Sequence, residues 1–226
     1  MSQAIRIIRL ELPYHLGGVN CYLVTTDTGY VLIDTGTSNR RADLERELDR
    51  AGCRPGNLKL ILLTHGDFDH SGNAAFLRNK YSAPLAIHAA DAGVLESGDM
   101  FWNRKTGNAV LRRLSPLLFG FGKAEQCRPD IALEEDSDLA KYGLDARVLS
   151  LPGHSLGSIG ILTAGGALFC GDLLTNTQRP ELNSIMDDRV AANASIEGLK
   201  SLKIDTVYPG HGEPFAIESF WTVEKT

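Results

Sequence analysis

The fold is decided by one stretch of the sequence, LILLTHGDFDH at residues 60–70. Its first four residues are continuously apolar. This predicts a strand buried on both faces, because a strand with one wet face alternates apolar and polar residues. Two imidazoles and two carboxylates follow, at His65, Asp67, Asp69 and His70. A loop at a strand end can present such groups into a cleft, whereas a turn that only caps the next helix needs a single acceptor. The stretch therefore favours a functional cluster.

Three further polar residues, His154, Asp172 and His211, also come directly after predicted strands. Each one alone resembles an ordinary loop residue, but with the first cluster they make a set of imidazoles and carboxylates. These are the side chains that bind borderline and hard divalent metals. One ion needs three or four ligands, so the set predicts two ions. Gly153 and Gly171 precede two of these residues and would let the backbone turn sharply beside them.

The rest of the chain reads as strands in two batches with helices between them. The predicted strands lie at 6–12, 21–25, 30–34, 60–63, 84–87, 147–151, 158–163, 167–170 and 205–208. The first three form an antiparallel meander, and Gly165-Gly166 joins two later ones as a hairpin. Strands in two batches predict two stacked sheets that are covered outside by helices.

One helix is predicted in detail, after the strand that ends at residue 34. Leu44 and Leu48 lie on one face of it, with charged residues on the others. Ser38 or Asn39 is the expected N-cap, because these side chains accept hydrogen bonds from the first turn. Gly52 is expected to end the helix.

Composition excludes several classes of function. The 226 residues carry 23 Lys and Arg against 28 Asp and Glu, a net charge of −5, with no dense basic patch. Duplex nucleic-acid binding is therefore not expected. Charges at Arg6, Arg9 and Glu11 interrupt the apolar start, so we expect neither a signal peptide nor an integral membrane segment, and a cytoplasmic location.

The remaining histidines and the cysteines are expected to be structural. His15 and His88 stand alone, and a lone histidine is more often a hydrogen-bonded loop residue than a ligand. The cysteines have no C-x-x-C spacing and mostly sit in apolar runs, so we expect them to be reduced. They are Cys21, Cys53, Cys127 and Cys170.

Taken in order, five motifs resemble those of the metallo-β-lactamase-fold hydrolases, the glyoxalase II-like enzymes among them. They are Leu32-Ile33-Asp34-Thr35-Gly36, the His65 to His70 run, Pro152-Gly153-His154, Gly171-Asp172 and Pro209-Gly210-His211-Gly212. The resemblance runs from about Asn20 to Gly212. It implies an α+β fold, an αββα four-layer sandwich of two mixed β-sheets flanked by helices, as a single domain over 1–226. It also implies a binuclear metal site at one edge.

The resemblance assigns the ligands residue by residue. His65, Asp67 and His154 would hold one metal, Asp69, His70 and His211 the other, Asp172 would bridge them, and Asp34 would orient the ligand loop. One position departs from the family pattern His-x-His-x-Asp-His, because Asp67 replaces its second imidazole. The additional carboxylate makes the site more anionic, which predicts a weaker Lewis acid and favours iron or manganese over zinc. Alternatively, Asp67 reaches its metal poorly and only the second site is filled.

Residues 97–124 are predicted to form a helical insertion in the sandwich. The segment carries five basic residues against the single acid Asp99, so it is locally cationic in an anionic chain. Two interpretations stay open. The insertion is a helical hairpin packed on the sandwich, or it is a lid whose apolar wall and cationic rim suit an amphiphilic anion such as an acyl thioester.

The predicted function is hydrolysis of an ester, thioester or lactone bond in a small molecule by a metal-bridging hydroxide. Two divalent ions, Zn, Fe or Mn, would activate the water and stabilise the oxyanion. Asp69 is the candidate catalytic residue, because a ligand with a free oxygen could orient the hydroxide and relay its proton. Two alternatives remain: an iron-dependent oxidoreductase of the same fold, and a metal-binding sensor without turnover. The oligomeric state is left open.

Overall fold

A computed structural model describes residues 4–12, 17–104 and 122–223. Within these residues the first sheet has six strands and the second has five, and a short two-stranded ribbon comes in the chain between the third and fourth strands of the second sheet. The first sheet contains β1 (Ile5–Glu11), β2 (Gly18–Thr26), β3 (Gly29–Ile33), β4 (Leu58–Leu62), β5 (Leu85–His88) and β6 (Ile131–Leu133). The second contains β7 (Ala146–Ser150), β8 (Ile159–Thr163), β9 (Ala167–Gly171), β12 (Thr206–Pro209) and β13 (Phe215–Ala216), and the ribbon pairs β10 (Leu174–Thr175) with β11 (Glu181–Leu182).

Both sheets are mixed. The first keeps its strands in chain order, with an antiparallel meander β1-β2-β3 and then parallel pairs through β4, β5 and β6. The second has the order β13-β12-β9-β8-β7, in which only the β9–β12 pair is parallel. The helices are α1 (Arg41–Arg50), α2 (Phe68–Ser71), α3 (Ala74–Tyr81), α4 (Ala92–Ser97), α5 (Arg189–Leu199) and α6 (Ile217–Val223).

Three buried apolar clusters show how the layers stack. Side chains alternate along β3, so Leu32 packs beneath α1 and α3 while Val31 and Ile33 face the second sheet. The central cluster also takes Val148 and Phe169 from the second sheet. A third cluster packs the outer face of the second sheet against α5 and α6, through Leu168, Ile196, Leu199, Val207 and Phe220. The predicted αββα four-layer sandwich of two mixed sheets is therefore confirmed.

The predicted start of α1 is wrong, although its buried face is confirmed. Ser38 and Asn39 lie in a short 3₁₀ turn over Ser38–Arg40, and no side chain caps α1. The Asn39 side chain accepts a hydrogen bond from the Thr37 hydroxyl instead. Gly52, with φ of 79°, ends the helix as predicted.

All four cysteines are free, as expected, and three of them are buried in the apolar clusters. Burial raises the pKa of Cys170 to about 12, so this thiol is not poised for chemistry. Two other predictions fall on segments outside the described residues: His15, and most of the 97–124 insertion, of which 97–104 and 122–124 are described.

Candidate metal centre

The two sheets bring the predicted ligands to one edge of the sandwich. β4 ends at Leu62, and the loop before α2 carries His65 and Asp67. The backbone N–H of Ile159 bonds to the carbonyl of Thr64 at 2.9 Å, which ties this loop to the start of β8. The side chain of Asp67 does not cap α2, so helix capping does not explain this carboxylate.

Each of the four site histidines forms a hydrogen bond through its Nδ1 atom, on the side of the ring that faces away from the cluster. Three of the partners are carboxylate or carbonyl oxygens, which only accept, so Nδ1 must donate and the neutral ring keeps its lone pair on Nε2. This is the tautomer that a metal ligand needs. The contacts are His70 to Asp34 Oδ2, His154 to the Ile185 carbonyl and His211 to the Gly18 carbonyl, each at 2.8 Å, and His65 to Thr64 Oγ1 at 3.0 Å.

The Nε2 atoms converge with carboxylates into two groups that could each hold a metal ion. The first ligand group is His65, His154 and Asp172, and the second ligand group is Asp69, His70 and His211; within each, the ligand atoms lie within 4.8 Å of one another. Asp172 also reaches the second group. Its Oδ1 lies 3.3 Å from Nε2 of His70 and its Oδ2 lies 3.3 Å from Nε2 of His211, so it stands between the groups.

Three buried atoms at this point have no hydrogen-bond partner among the described residues: His65 Nε2, His70 Nε2 and Asp172 Oδ1. An unsatisfied buried polar atom costs about 1–3 kcal/mol, so native structures rarely contain three together. Two are imidazole nitrogens with a lone pair and one is a carboxylate oxygen. This donor set suits a divalent cation, and the residues present therefore fit a metal centre.

Asp67 lies beside the first group without being one of its three members. Its Oδ2 lies 3.1 Å from His154 Nε2 and 3.9 Å from His65 Nε2, so this oxygen faces the first group. Its Oδ1 accepts a hydrogen bond from Arg104 Nη2. The role of Asp67 as a ligand stays a prediction, since one of its oxygens faces the first group and the other is held by an arginine.

Arg104 is the site residue that the sequence analysis missed. The sequence identifies the segment as cationic, but neither interpretation of it, a packed hairpin or a lid with a cationic rim, predicts a basic side chain inside the site. The Arg104 side chain is in fact only 11% exposed and forms an ion pair with Asp67. Its cation offsets the carboxylate that replaces the family's imidazole. The argument from charge for iron or manganese over zinc is correspondingly weaker.

Asp34 supports both groups from behind, His70 of the second directly and His65 of the first through Thr64. It accepts hydrogen bonds from the backbone N–H and the hydroxyl of Thr64, both at 2.8 Å, in addition to its contact with His70. Its φ of 58° is the left-handed region, which costs a non-glycine residue energy. The contacts match the orienting role that the resemblance implied.

Electrostatics differ between the groups. Burial alone would lower the pKa of His211, but Asp172 and Asp69 outweigh it and raise this pKa to about 11. Burial alone would raise the pKa of Asp172, yet His211 and His70 hold it well below its usual range. The first group is divided: the pKa of His65 is lowered by burial and by the neighbouring His70 and His154, whereas Asp67 and Asp172 raise the pKa of His154 against the effect of burial. In the metal-free protein, protons on the histidines of the second group offset the negative charge of the carboxylates. A bound metal ion would offset the same charge.

At two positions in the site, neighbouring atoms lie so close to the backbone that only glycine fits. Gly171 has a φ of 51°, and a Cβ there would lie 2.7 Å from Thr64 Oγ1. A Cβ at Gly210 would lie 2.2 Å from Asp172 Oδ1. His88 is outside the centre: its Nδ1 accepts a hydrogen bond from the Ala90 N–H at 3.1 Å, in agreement with the structural role expected for it.

The sequence matches the metallo-beta-lactamase superfamily over residues 15–211, and the chain belongs to this family. The family uses a binuclear metal centre, and the two ligand groups provide for two ions whose identity is open.

Three similar proteins indicate the range of the family. A probable metallo-hydrolase of Methanocaldococcus jannaschii, MJ0888, is 30% identical over 86% of this chain and 87% of its own length. The acyl-coenzyme A thioesterase MBLAC2 of Bos taurus is 30% identical over 88% of this chain and 75% of its own. The crystal structure of TTHA1623 in a di-iron-bound form is 30% identical, covers 93% of this chain and 94% of its own, and superposes with a TM-score of 0.70. The chain is thus a member of a metallo-hydrolase family.

None of the helices in the described ranges combines the length and the apolar character that crossing a bilayer requires.

Proposed function

We propose that this protein is a binuclear metallohydrolase that cleaves an acyl bond of a small molecule, with a thioester as the preferred substrate class over an ester or lactone. The observation that carries the proposal is the convergence of His65 Nε2, His70 Nε2 and Asp172 Oδ1, all buried and without hydrogen-bond partners among the described residues. The first and second ligand groups would each hold one divalent ion, with Asp172 shared and Asp67 as an additional ligand of the first.

Bound divalent ions supply a hydroxide at neutral pH and polarise the acyl carbonyl. The protein's part is to hold its ligands and to move a proton. Asp69 Oδ2 lies 3.4 Å from His211 Nε2, so one oxygen faces the second group. The other oxygen is the candidate to accept a proton from the attacking water and deliver it to the leaving group.

Exposed apolar side chains support an apolar acyl group. Leu156 is 56% exposed and lies two residues after His154. Ile185 is 67% exposed, and its carbonyl accepts the hydrogen bond from His154 Nδ1. Both therefore flank the first ligand group, where an acyl chain could lie against them. The similarity to an acyl-coenzyme A thioesterase points to the same substrate class.

The test combines elemental analysis with an activity panel on one preparation. Protein from cells supplied with zinc, iron and manganese is expected to hold two ions per chain and to hydrolyse acyl thioesters faster than esters, lactones or phosphodiesters. One ion per chain would contradict the binuclear centre. Two ions with no hydrolysis would support the sensor alternative, and oxygen uptake with a reductant by an iron-loaded protein would support the oxidoreductase.

Asp69→Asn tests the proposed proton relay. The variant keeps one ligand oxygen but cannot accept the proton, so kcat is expected to fall about 100-fold while metal content stays near that of the wild type. His211→Ala is the matched control, because it removes a ligand and should lower metal content and kcat together. Equal losses of metal and kcat in Asp69→Asn would reduce Asp69 to a ligand.

A further inference from the structure

A buried carboxylate outside both ligand groups, Asp91, joins the two loops that carry the histidines of the first group. It lies between β5 and α4 and is 3% exposed. Its Oδ2 accepts hydrogen bonds from the Gly66 N–H at 3.0 Å and from the Ser155 hydroxyl at 2.7 Å. Its Oδ1 accepts from the Gly157 N–H at 2.9 Å. Gly66 follows His65 and Ser155 follows His154, so one side chain holds both loops.

The hydrogen bonds around Asp91 have one consistent direction. The Ser155 hydroxyl donates to Asp91, so its oxygen must accept from the Ser158 hydroxyl, 2.8 Å away. Ser158 Oγ in turn accepts from the Ser155 N–H at 3.0 Å. Both oxygens of Asp91 thus face donors only. An amide in its place would turn an NH₂ group toward at least one N–H or O–H.

The backbones of both loops pass close to Asp91 and to the helix that follows it. A Cβ on Gly157 would lie 2.5 Å from Asp91 Oδ1, and a Cβ on Gly66 would lie 2.8 Å from Val94, one turn along α4. Both loops are therefore pressed against the Asp91 region. The second group has other supports, Asp34 and the Gly18 carbonyl.

We infer that Asp91 is a positioning residue that sets the separation of His65 and His154 and thereby determines the metal affinity of the first ligand group, but not of the second. The inference rests on the metal centre of the proposed function. Removing a residue that orients ligands typically lowers metal affinity about 10- to 100-fold.

The experiment is a cobalt titration of metal-free protein, in which His154→Ala and His211→Ala assign the two binding events to the first and second groups. Asp91→Asn is expected to weaken the first event about 10- to 100-fold, to change the visible spectrum of cobalt in that group, and to leave the second event unaltered. Ser155→Ala, which removes only one arm, should weaken the same event less. If Asp91→Asn does not fold, the cobalt affinity of Ser155→Ala tests the inference in its place.

Asp130→Asn is the matched control, because Asp130 also accepts from a backbone N–H, that of Leu85 at the opposite end of β5, and from a side chain, that of Arg78. It should lower stability without changing either cobalt affinity. Equal weakening of both events by Asp91→Asn, or an unchanged first event in both Asp91→Asn and Ser155→Ala, would overturn the inference. Wild-type protein that binds fewer than two ions would contradict the metal centre itself, so the two failures are distinguishable.

Discussion

The two ligand groups lie side by side but are built differently. The second group is surrounded by carboxylates, and the pKa of His211 is raised to about 11 as a result. The first group has a cation beside it, Arg104, and the pKa of His65 is lowered by burial and by the neighbouring His70 and His154. A site rich in negative charge attracts a cation more strongly than one that is partly neutralised. The difference predicts that the second group binds its metal ion first. It also predicts that the metal affinity of the first group depends more on the residues around it.

The largest effect is expected from the residue that the two groups share. Asp172→Ala removes the carboxylate that lies 3.3 Å from both His70 Nε2 and His211 Nε2 and 4.0 Å from His154 Nε2. We expect loss of both ions and a fall in kcat/KM of about 1000-fold, since bound ions contribute several kcal/mol. Metal analysis and kinetics on the same sample check this. Retention of one tightly bound ion would show that the groups are independent.

The ion pair beside the first group should show strong coupling. Asp67→His leaves Arg104 buried without its partner, which is expected to lower the stability of the metal-free protein by about 3 kcal/mol. Adding Arg104→Ala to this variant should recover most of the loss, because the unpaired charge is then gone. Arg104→Ala alone should cost less, since Asp67 keeps its contact with His154.

Thermal unfolding of the four proteins measures this coupling, and a cobalt titration of the same set measures it at the first ligand group. In both, the effects of the two substitutions should be far from additive. Additive effects would mean that Arg104 does not compensate Asp67 and that the contrast between the groups has another origin.

The sequence was sufficient for the sandwich because its signals are local. The continuous apolar run at 60–63 and the spacing of Leu44 and Leu48 each predict one element, and the structure confirms both. The start of α1 was not predictable in this way, because the Asn39 side chain bonds to Thr37 rather than to the helix.

The supports of the site could not be predicted from the sequence. Arg104 contacts Asp67 across 37 residues, and Asp91 contacts Ser155 across 64. No local pattern marks either residue, since an isolated charge is usually solvated and only the packing of distant segments buries it. The metal-ligand role of all seven predicted residues stays a prediction, although the structure places them together.

A smaller effect concerns pH and the proton on the second group. With a pKa raised to about 11, His211 stabilises the metal-free fold below about pH 6.5, its ordinary pKa, and this contribution is lost as pH rises through 11. The lowered pKa of Asp172 contributes stability above its ordinary value, and this is lost in acid. Despite burial, Asp172 and Asp34 also raise the pKa of His70 well above its ordinary value, so a metal ion must displace two protons from the second group. Affinity at the second group should therefore rise by up to about 100-fold per pH unit between pH 6 and 8.

Chelator competition at pH 6, 7 and 8 measures this affinity. In the first group burial keeps His65 neutral and only His154 has a raised pKa, so affinity there should respond less steeply to pH. A steeper response at the first group than at the second would reverse the comparison.

The smallest effect would show from which side the substrate enters. Leu156→Ser and Ile185→Ser change exposed side chains next to His154, so neither should unfold the protein. If the acyl chain lies against them, each should raise KM for a long-chain thioester about fivefold, because partial loss of one apolar contact costs about 1 kcal/mol. KM for an acetyl thioester, which has no chain to place there, should stay unchanged, as should KM in Ile7→Ser, an exposed apolar residue on the edge strand β1. A rise in KM for both chain lengths would point to a disturbed His154 rather than to an acyl-binding surface. The acyl chain would then not lie beside the first ligand group, although the metal affinity of that group could still be adjusted.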